Sequence, residues 1–202
     1  MARPRQFDED RVISAAMETF WRQGYEGTST RDLCESTGLG PSSLYNTFGG
    51  KRRLYLRALE RYYETATAEQ VELLLAGPGT GRERLRALMT HAIDADMAPD
   101  GAGGTDGPRG CFAISAAIEA AALDPDVRKV VRRTFDRVED AIHTLVAEGQ
   151  AAGEIRTGTD ARTLARQILS SYYGLRVLTR VHEQRDLLFA TALATLDSLR
   201  PC

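Results

Sequence analysis

Apolar residues recur at spacings of three and four along nearly the whole chain, and no stretch of four or more residues shows clean strand alternation. This restricts the fold to an all-α one, because a helix with one apolar stripe must bury that stripe against other helices. In the first helix, expected from about Asp8 to Arg22, the stripe is Val12, Ile13, Ala16, Met17, Phe20 and Trp21. Asp8, Glu9 and Asp10 suit the positive end of its dipole, and Gly24 closes it. Two short helices follow, one ending at Gly38 and one running from Pro41 to Phe48 before Gly49-Gly50. A fourth, from Lys51 to about Leu75, carries Leu54, Tyr55, Ala58, Leu59 and Tyr62. Breaker residues 76–81 and 99–110, the latter with five glycines between Gly101 and Gly110, bracket a helix from Arg82 to about Met97 and predict loops. Further helices are expected at 111–123, from Asp124-Pro125 to near Gly153, at 160–181 and at 184–199, about nine in all.

Charge limits the function classes. With 26 basic and 28 acidic side chains the net charge is -2, so the chain is not a general polycation, and any nucleic-acid contact must be local. No run approaches the roughly 18–20 apolar residues of a membrane span. The first residues lack the apolar core of a signal peptide, and Cys34, Cys111 and Cys202 are odd in number and far apart. Both features point to a reducing, cytoplasmic setting without a membrane partner.

Residues 28–51 carry the functional signal. Hydroxyls at 28–30 offer a cap, and Asp32 stands three after Ser29 in a capping-box arrangement. Two short helices joined across Gly38 make a helix-turn-helix, over about residues 29–48, because a glycine there permits the left-handed backbone of a sharp turn. Leu33, Cys34, Leu39, Leu44 and Phe48 supply the apolar contacts. The second helix then presents Pro41, Ser42, Ser43, Tyr45, Asn46 and Thr47, mostly short and uncharged side chains suited to base edges or phosphates. Spacing alone fits both a groove-reading helix and a solvated helix of an ordinary bundle.

The order of residues is more specific. Gly24-Tyr25-Glu26-Gly27-Thr28-Ser29-Thr30-Arg31-Asp32-Leu33-Cys34, Thr37-Gly38-Leu39 and Ser43-Leu44-Tyr45-Asn46-Thr47-Phe48-Gly49-Gly50-Lys51 closely resemble the TetR family of bacterial repressors, over about Phe7 to Leu59. The resemblance implies a nine-helix homodimer whose three-helix head, within residues 6–66, binds double-stranded operator DNA. It implies a body, residues 67–202, that dimerises and binds a small-molecule effector. By the same resemblance Thr30 caps the second helix and touches a phosphate, and Arg31 approaches the groove. Pro41, Ser42, Ser43, Tyr45, Asn46 and Thr47 face bases or flanking backbone, and Lys51 grips a phosphate. The sequence departs from the usual pattern at Pro41, where a lysine or glutamine is common, and at Gly50, which replaces a Ser or Asn cap.

Residues 1–60 hold nine basic and eight acidic side chains, with Lys51, Arg52, Arg53 and Arg57 clustered. Arg3 and Arg5 fit either a minor-groove arm or a frayed terminus. Arg128, Lys129, Arg132, Arg133 and Arg137 read most simply as a solvated helix face.

In the body, Leu164, Ile168, Tyr172, Gly174, Leu175 and Leu178, with Leu188, Leu193 and Leu196, are expected at a four-helix dimer interface, the alternative being packing within one chain. Candidate effector contacts are Tyr62, Tyr63, Met89, His91, Met97, Cys111, Phe112, Ile114, Phe135 and His143. Many of these equally suit a plain core, and their character points to an uncharged or hydrophobic molecule. Cys111 follows Arg109-Gly110 at an expected helix start. It reads either as a reactive thiolate, as in some members of the family, or as a small buried hydrophobe. His91, His143 and His182 are scattered and no nucleophile elbow occurs, so neither a metal site, a cofactor nor a catalytic site is expected.

Overall fold

The computed structural model describes residues 3–98 and 110–201, with side chains from residue 9 onward. Arg3 and Arg5, the glycine-rich segment 99–109 and Cys202 therefore lie outside what can be described in atomic detail. The described residues form ten helical segments and no strand: α1 (Arg3–Gly27), α2 (Thr30–Thr37), α3 (Pro41–Phe48), α4 (Lys51–Glu64), α5 (Ala66–Ala76), α6 (Gly81–Met97), α7 (Phe112–Glu119), α8 (Pro125–Ala151), α9 (Ala161–Leu178) and α10 (Arg185–Asp197). The all-α expectation holds. The fourth expected helix is interrupted at Thr65 (φ -108, ψ -87), so α4 and α5 are its two halves. α1 runs past its expected end but breaks at Gly24 (φ 75, ψ 172).

The chain divides into two compact units, the first comprising residues 1–65 and 112–133, the second residues 66–111 and 134–202. Residues 112–133 thus group with the N-terminal helices although they lie far along the sequence.

In the first unit α1 is the base. Its stripe Val12, Ile13, Ala16 and Phe20 is buried together with Leu33 of α2, Leu44 and Phe48 of α3, and Leu54, Tyr55, Ala58, Leu59 and Tyr62 of α4. α7 adds Phe112, Ala113 and Ala116. The aromatic rings meet mostly edge to face: Phe20–Tyr55 at 4.9 Å, Trp21–Tyr62 at 5.1 Å, and Phe112 against Tyr55 at 5.7 Å and Tyr62 at 5.8 Å. Burial raises the Tyr55 phenol well above its ordinary pKa.

In the second unit a core runs through Leu74, Leu85, Met89 and Ile93, Val138, Ile142 and Leu145, Ile168, Tyr172 and Leu175, and Leu188 and Leu196. One ion pair is buried beside it. Arg176 donates from Nε to Asp96 Oδ2 at 2.9 Å and from Nη2 to Asp96 Oδ1 at 2.7 Å, and also from Nη2 to the Gly110 carbonyl at 3.2 Å. Thr179 Oγ1, which donates to the Arg176 carbonyl at 2.9 Å, lies 3.4 Å from Asp96 Oδ2. Burial pushes the nearby Tyr172 phenol up to about 12. No helix among the described residues is long and apolar enough to cross a membrane.

Candidate nucleic-acid interface

The helix-turn-helix is set by local chemistry. Ser29, with extended backbone (φ -88, ψ 162), is the N-cap of α2. Its Oγ accepts the Asp32 N–H at 3.1 Å, while Asp32 Oδ2 accepts the Ser29 N–H at 2.7 Å. The spacing of Ser29 and Asp32 predicted this box. The cap assigned to Thr30 by family resemblance is corrected: Thr30 is the first helical residue and exposed, since only Ser29 has the backbone geometry that aims a side chain at the free N–H groups. The hydrogen bonds from Ser29 hold Asp32 below the usual carboxylate range.

Gly38 ends α2 in the left-handed region (φ 73, ψ 14), with its N–H donating to the Cys34 carbonyl. Thr37, buried, donates from Oγ1 to the Leu33 carbonyl and accepts the Leu39 N–H, stiffening the turn. Sequence reading had not singled out Thr37 for this work, and a Thr one residue before the turn glycine was the available signal. Leu44 and Phe48 anchor α3 at 1% and 7% exposure, which turns every intervening side chain outward. Pro41, Ser42, Ser43, Tyr45, Asn46 and Thr47 are all exposed, Tyr45 at 68%. Thr30 and Arg31 of α2 are exposed as well. Arg31 pairs with Glu35 at 2.8 Å, a solvent-facing contact that costs little to exchange for another anion.

The start of α4 is open. Gly50 takes φ 105, ψ 178, a conformation available essentially to glycine, and provides no side-chain cap. The N–H groups of the first turn therefore keep their capacity for an anion, where the helix dipole adds to it. Lys51 Nζ lies 4.4 Å from the centre of the Tyr25 ring. α3 likewise starts without a side-chain cap, at Gly40, and Pro41 has no N–H to satisfy.

Arg52 is engaged with Asp124 and Asp126, the last residue before α8 and its second residue. This ion pair holds the Asp124 carboxyl down at about 2. The Asp124 charge thus contributes stability above the unfolded carboxylate pKa, near 4, and loses it as the pH falls towards about 2. The stability gap between wild type and Asp124→Asn, read from denaturant midpoints, is expected to be full at pH 6 and to shrink between about pH 4 and 2. A gap unchanged across that range would show that the charge of Asp124 is not what stabilises the fold.

The expected body residues fall in several places. Tyr62 and Phe112 are buried ring neighbours in the first unit, Ile114 is half-buried on α7, and Tyr63 lies under the Arg133 guanidinium at 4.2 Å. In the second unit Met89 is core, Met97 packs against that core, Cys111 is buried, and Phe135 meets Tyr173 at 4.6 Å. His143 is half-buried and His91 exposed. Two grooves open near the start of α6, of about 520 and 420 Å³, and none of these ten residues lines either. Of the nine residues expected at a dimer interface, Leu164, Ile168, Tyr172, Leu175, Leu188 and Leu196 belong to the protomer's own core, and Gly174, Leu178 and Leu193 are exposed. Helical spacing identifies an apolar stripe but not which neighbour covers it.

The family model for "Bacterial regulatory proteins, tetR family" matches residues 12–58, and that for "Tetracyclin repressor-like, C-terminal domain" matches residues 81–194. The chain is 33% identical to the HTH-type transcriptional regulator YezE of Bacillus subtilis (strain 168), over 92% of this chain and 93% of that one. It is 27% identical to the HTH-type transcriptional repressor ComR of Escherichia coli (strain K12), over 96% and 90%. Among solved structures, a cysteine mutant of the TetR family regulator CifR complexed with 26-base-pair operator DNA superposes with a TM-score of 0.81 at 27% identity, covering 98% of this chain and all of that one (100%). With its helix-turn-helix in place and both family models matched, the chain belongs to the TetR family of HTH-type transcriptional regulators.

Proposed function

We propose that this regulator binds a palindromic operator as a homodimer, represses transcription there, and is released by a small-molecule effector. The observation that carries the reading is α3, whose Leu44 and Phe48 are buried while its polar side chains all face solvent beside the uncapped start of α4. The likeness to CifR, solved with operator DNA, supports the same role for the head.

Residues 6–66 then read DNA and residues 67–202 bind effector and dimerise. Tyr45, Asn46, Ser42 and Ser43 reach base edges or phosphates, Arg31 exchanges Glu35 for the groove, and Lys51 with the α4 N–H groups takes a phosphate. In a dimer the two recognition helices sit about 34–36 Å apart, one helical turn of DNA. The dimer face assigned is the exposed side of α9 and α10, with Gly174, Val177, Leu178, Leu187 and Leu193. A Cβ at Gly174 would meet nothing within 4 Å in its own protomer, so the glycine is free to admit a second copy's helix. The effector is an uncharged or hydrophobic molecule that lowers operator affinity by preferring a different conformation of the protein. The protein works in the cytoplasm by binding, without catalysis or cofactor.

Selection from a random duplex pool with purified protein tests this. An enriched palindrome is expected, whereas a folded dimer that enriches nothing at low salt would show a ligand-binding helical protein instead. On the enriched duplex, Tyr45→Ala and Arg31→Ala are each expected to weaken binding by about 1–3 kcal/mol. Unchanged affinity in both, with the fold intact, would remove these two contacts.

A further inference from the structure

The first turn of α4 is tied twice to residues 119–126, within one compact unit. Arg52 donates from Nε to Asp124 Oδ2 at 2.6 Å, from Nη2 to Asp124 Oδ1 at 2.8 Å, and from Nη2 to Asp126 Oδ2 at 2.6 Å. Asp124 Oδ1 also accepts the N–H groups of Asp126 at 2.9 Å and Val127 at 3.3 Å, so one carboxylate both caps α8 and seats Arg52. The second tie runs through Tyr25: its N–H donates to Glu119 Oε2 at 2.7 Å, and its ring lies under Lys51 Nζ. Further along, Arg133 of α8 pairs with Glu60 of α4. Arg52 precedes Glu60 by eight residues and Asp126 precedes Arg133 by seven, so within the first unit the opening turns of α8, up to Arg133, run in the same direction as α4.

Two carboxylates beside a helix end that grips phosphates repel DNA by Coulomb's law alone. Their fork-like hold on Arg52 instead fixes where that helix end points. We propose that Arg52, Asp124 and Asp126 form a positioning clamp that holds the N-terminus of α4, and the α3 packed on it, in the attitude that grips the operator. Arg52 itself does not contact phosphate, although it stands in the basic run 51–53. This rests on the operator-binding reading of the head.

The two accounts predict opposite signs. Removing an acidic charge near DNA raises affinity if only the field matters, and lowers it if the charge positions α4. The measurement is affinity across a salt series for the duplex that the wild-type chain enriches from the random pool, with far-ultraviolet circular dichroism on each variant. Asp124→Asn keeps an N-cap for α8 while dropping the charge. It is expected to bind about 10-fold more weakly, and Arg52→Ala about equally so. The double variant should be no weaker than either single one, because both remove the same coupling. Lys51→Ala should flatten the log K against log salt slope by about 0.9, the loss of one phosphate contact, and Arg52→Ala should leave that slope unchanged. Arg52→Lys, which keeps the charge but not the fork, should bind as weakly as Arg52→Ala. Tighter binding by Asp124→Asn, a flattened slope in Arg52→Ala, or full affinity in Arg52→Lys would each overturn the clamp. A wild-type chain that binds no duplex at about 50 mM salt would overturn the operator reading and the clamp together.

Discussion

Arg176→Ala is expected to lower the unfolding free energy by about 3–5 kcal/mol, the cost of leaving a buried charge without its partner. The side chains of Arg176 and Asp96 are only 6% and 3% exposed, and Arg176 satisfies both carboxylate oxygens as well as the Gly110 carbonyl. Without it, the Asp96 carboxylate has, among the described residues, only the Thr179 hydroxyl at 3.4 Å, whose single proton lies closer to the Arg176 carbonyl. Replacing both partners together, as Arg176→Met with Asp96→Leu, should recover most of the loss, because no charge then remains to desolvate. The check is chemical denaturation at one fixed protein concentration, since self-association of the proposed kind would make apparent stability depend on it. A single variant within about 1 kcal/mol of wild type would mean that the carboxylate finds another partner or water.

Phe112→Ala is the second large effect, also about 3–5 kcal/mol, from lost transfer energy and the cavity left behind. Phe112 is 1% exposed and touches Trp21, Tyr55 and Tyr62, joining α7 to α1 and α4. Because α1 and α4 also carry the packing surface of α2 and α3, the variant should lose operator binding along with stability. Ile118→Ala, on the same helix but 73% exposed, should stay within about 0.5 kcal/mol of wild type. Equal effects from the two would contradict the packing of α7 on the head.

The head was legible because its signals are local. Ser29 and Asp32 are three residues apart, Gly38 is the residue at the turn, and Leu44 and Phe48 are four apart on one short helix. Each is decided within one or two turns of chain, where spacing alone determines geometry. The body was legible only as stripes. Leu164, Ile168, Tyr172 and Leu175 form one apolar face, but that they pack on α6 and α8 of their own chain depends on partners dozens of residues away. The same holds for Tyr62 and Phe112, which the sequence offers as either ligand contacts or plain core and which lie in a ring cluster of the first unit.

Periodicity, caps and turn glycines, then, were enough to determine an all-helical chain with a helix-turn-helix near its start, since these depend on neighbours in sequence. The tertiary structure alone decided that residues 112–133 join the N-terminal unit, that Arg176 meets Asp96 across 80 positions, and that Arg52 meets Asp124 across 72. Arginines and aspartates are abundant on solvated helix faces, and a charge carries no mark in the sequence of the opposite charge it will meet. Only the packing of the apolar faces, which is non-directional and set by shape, brings such pairs together.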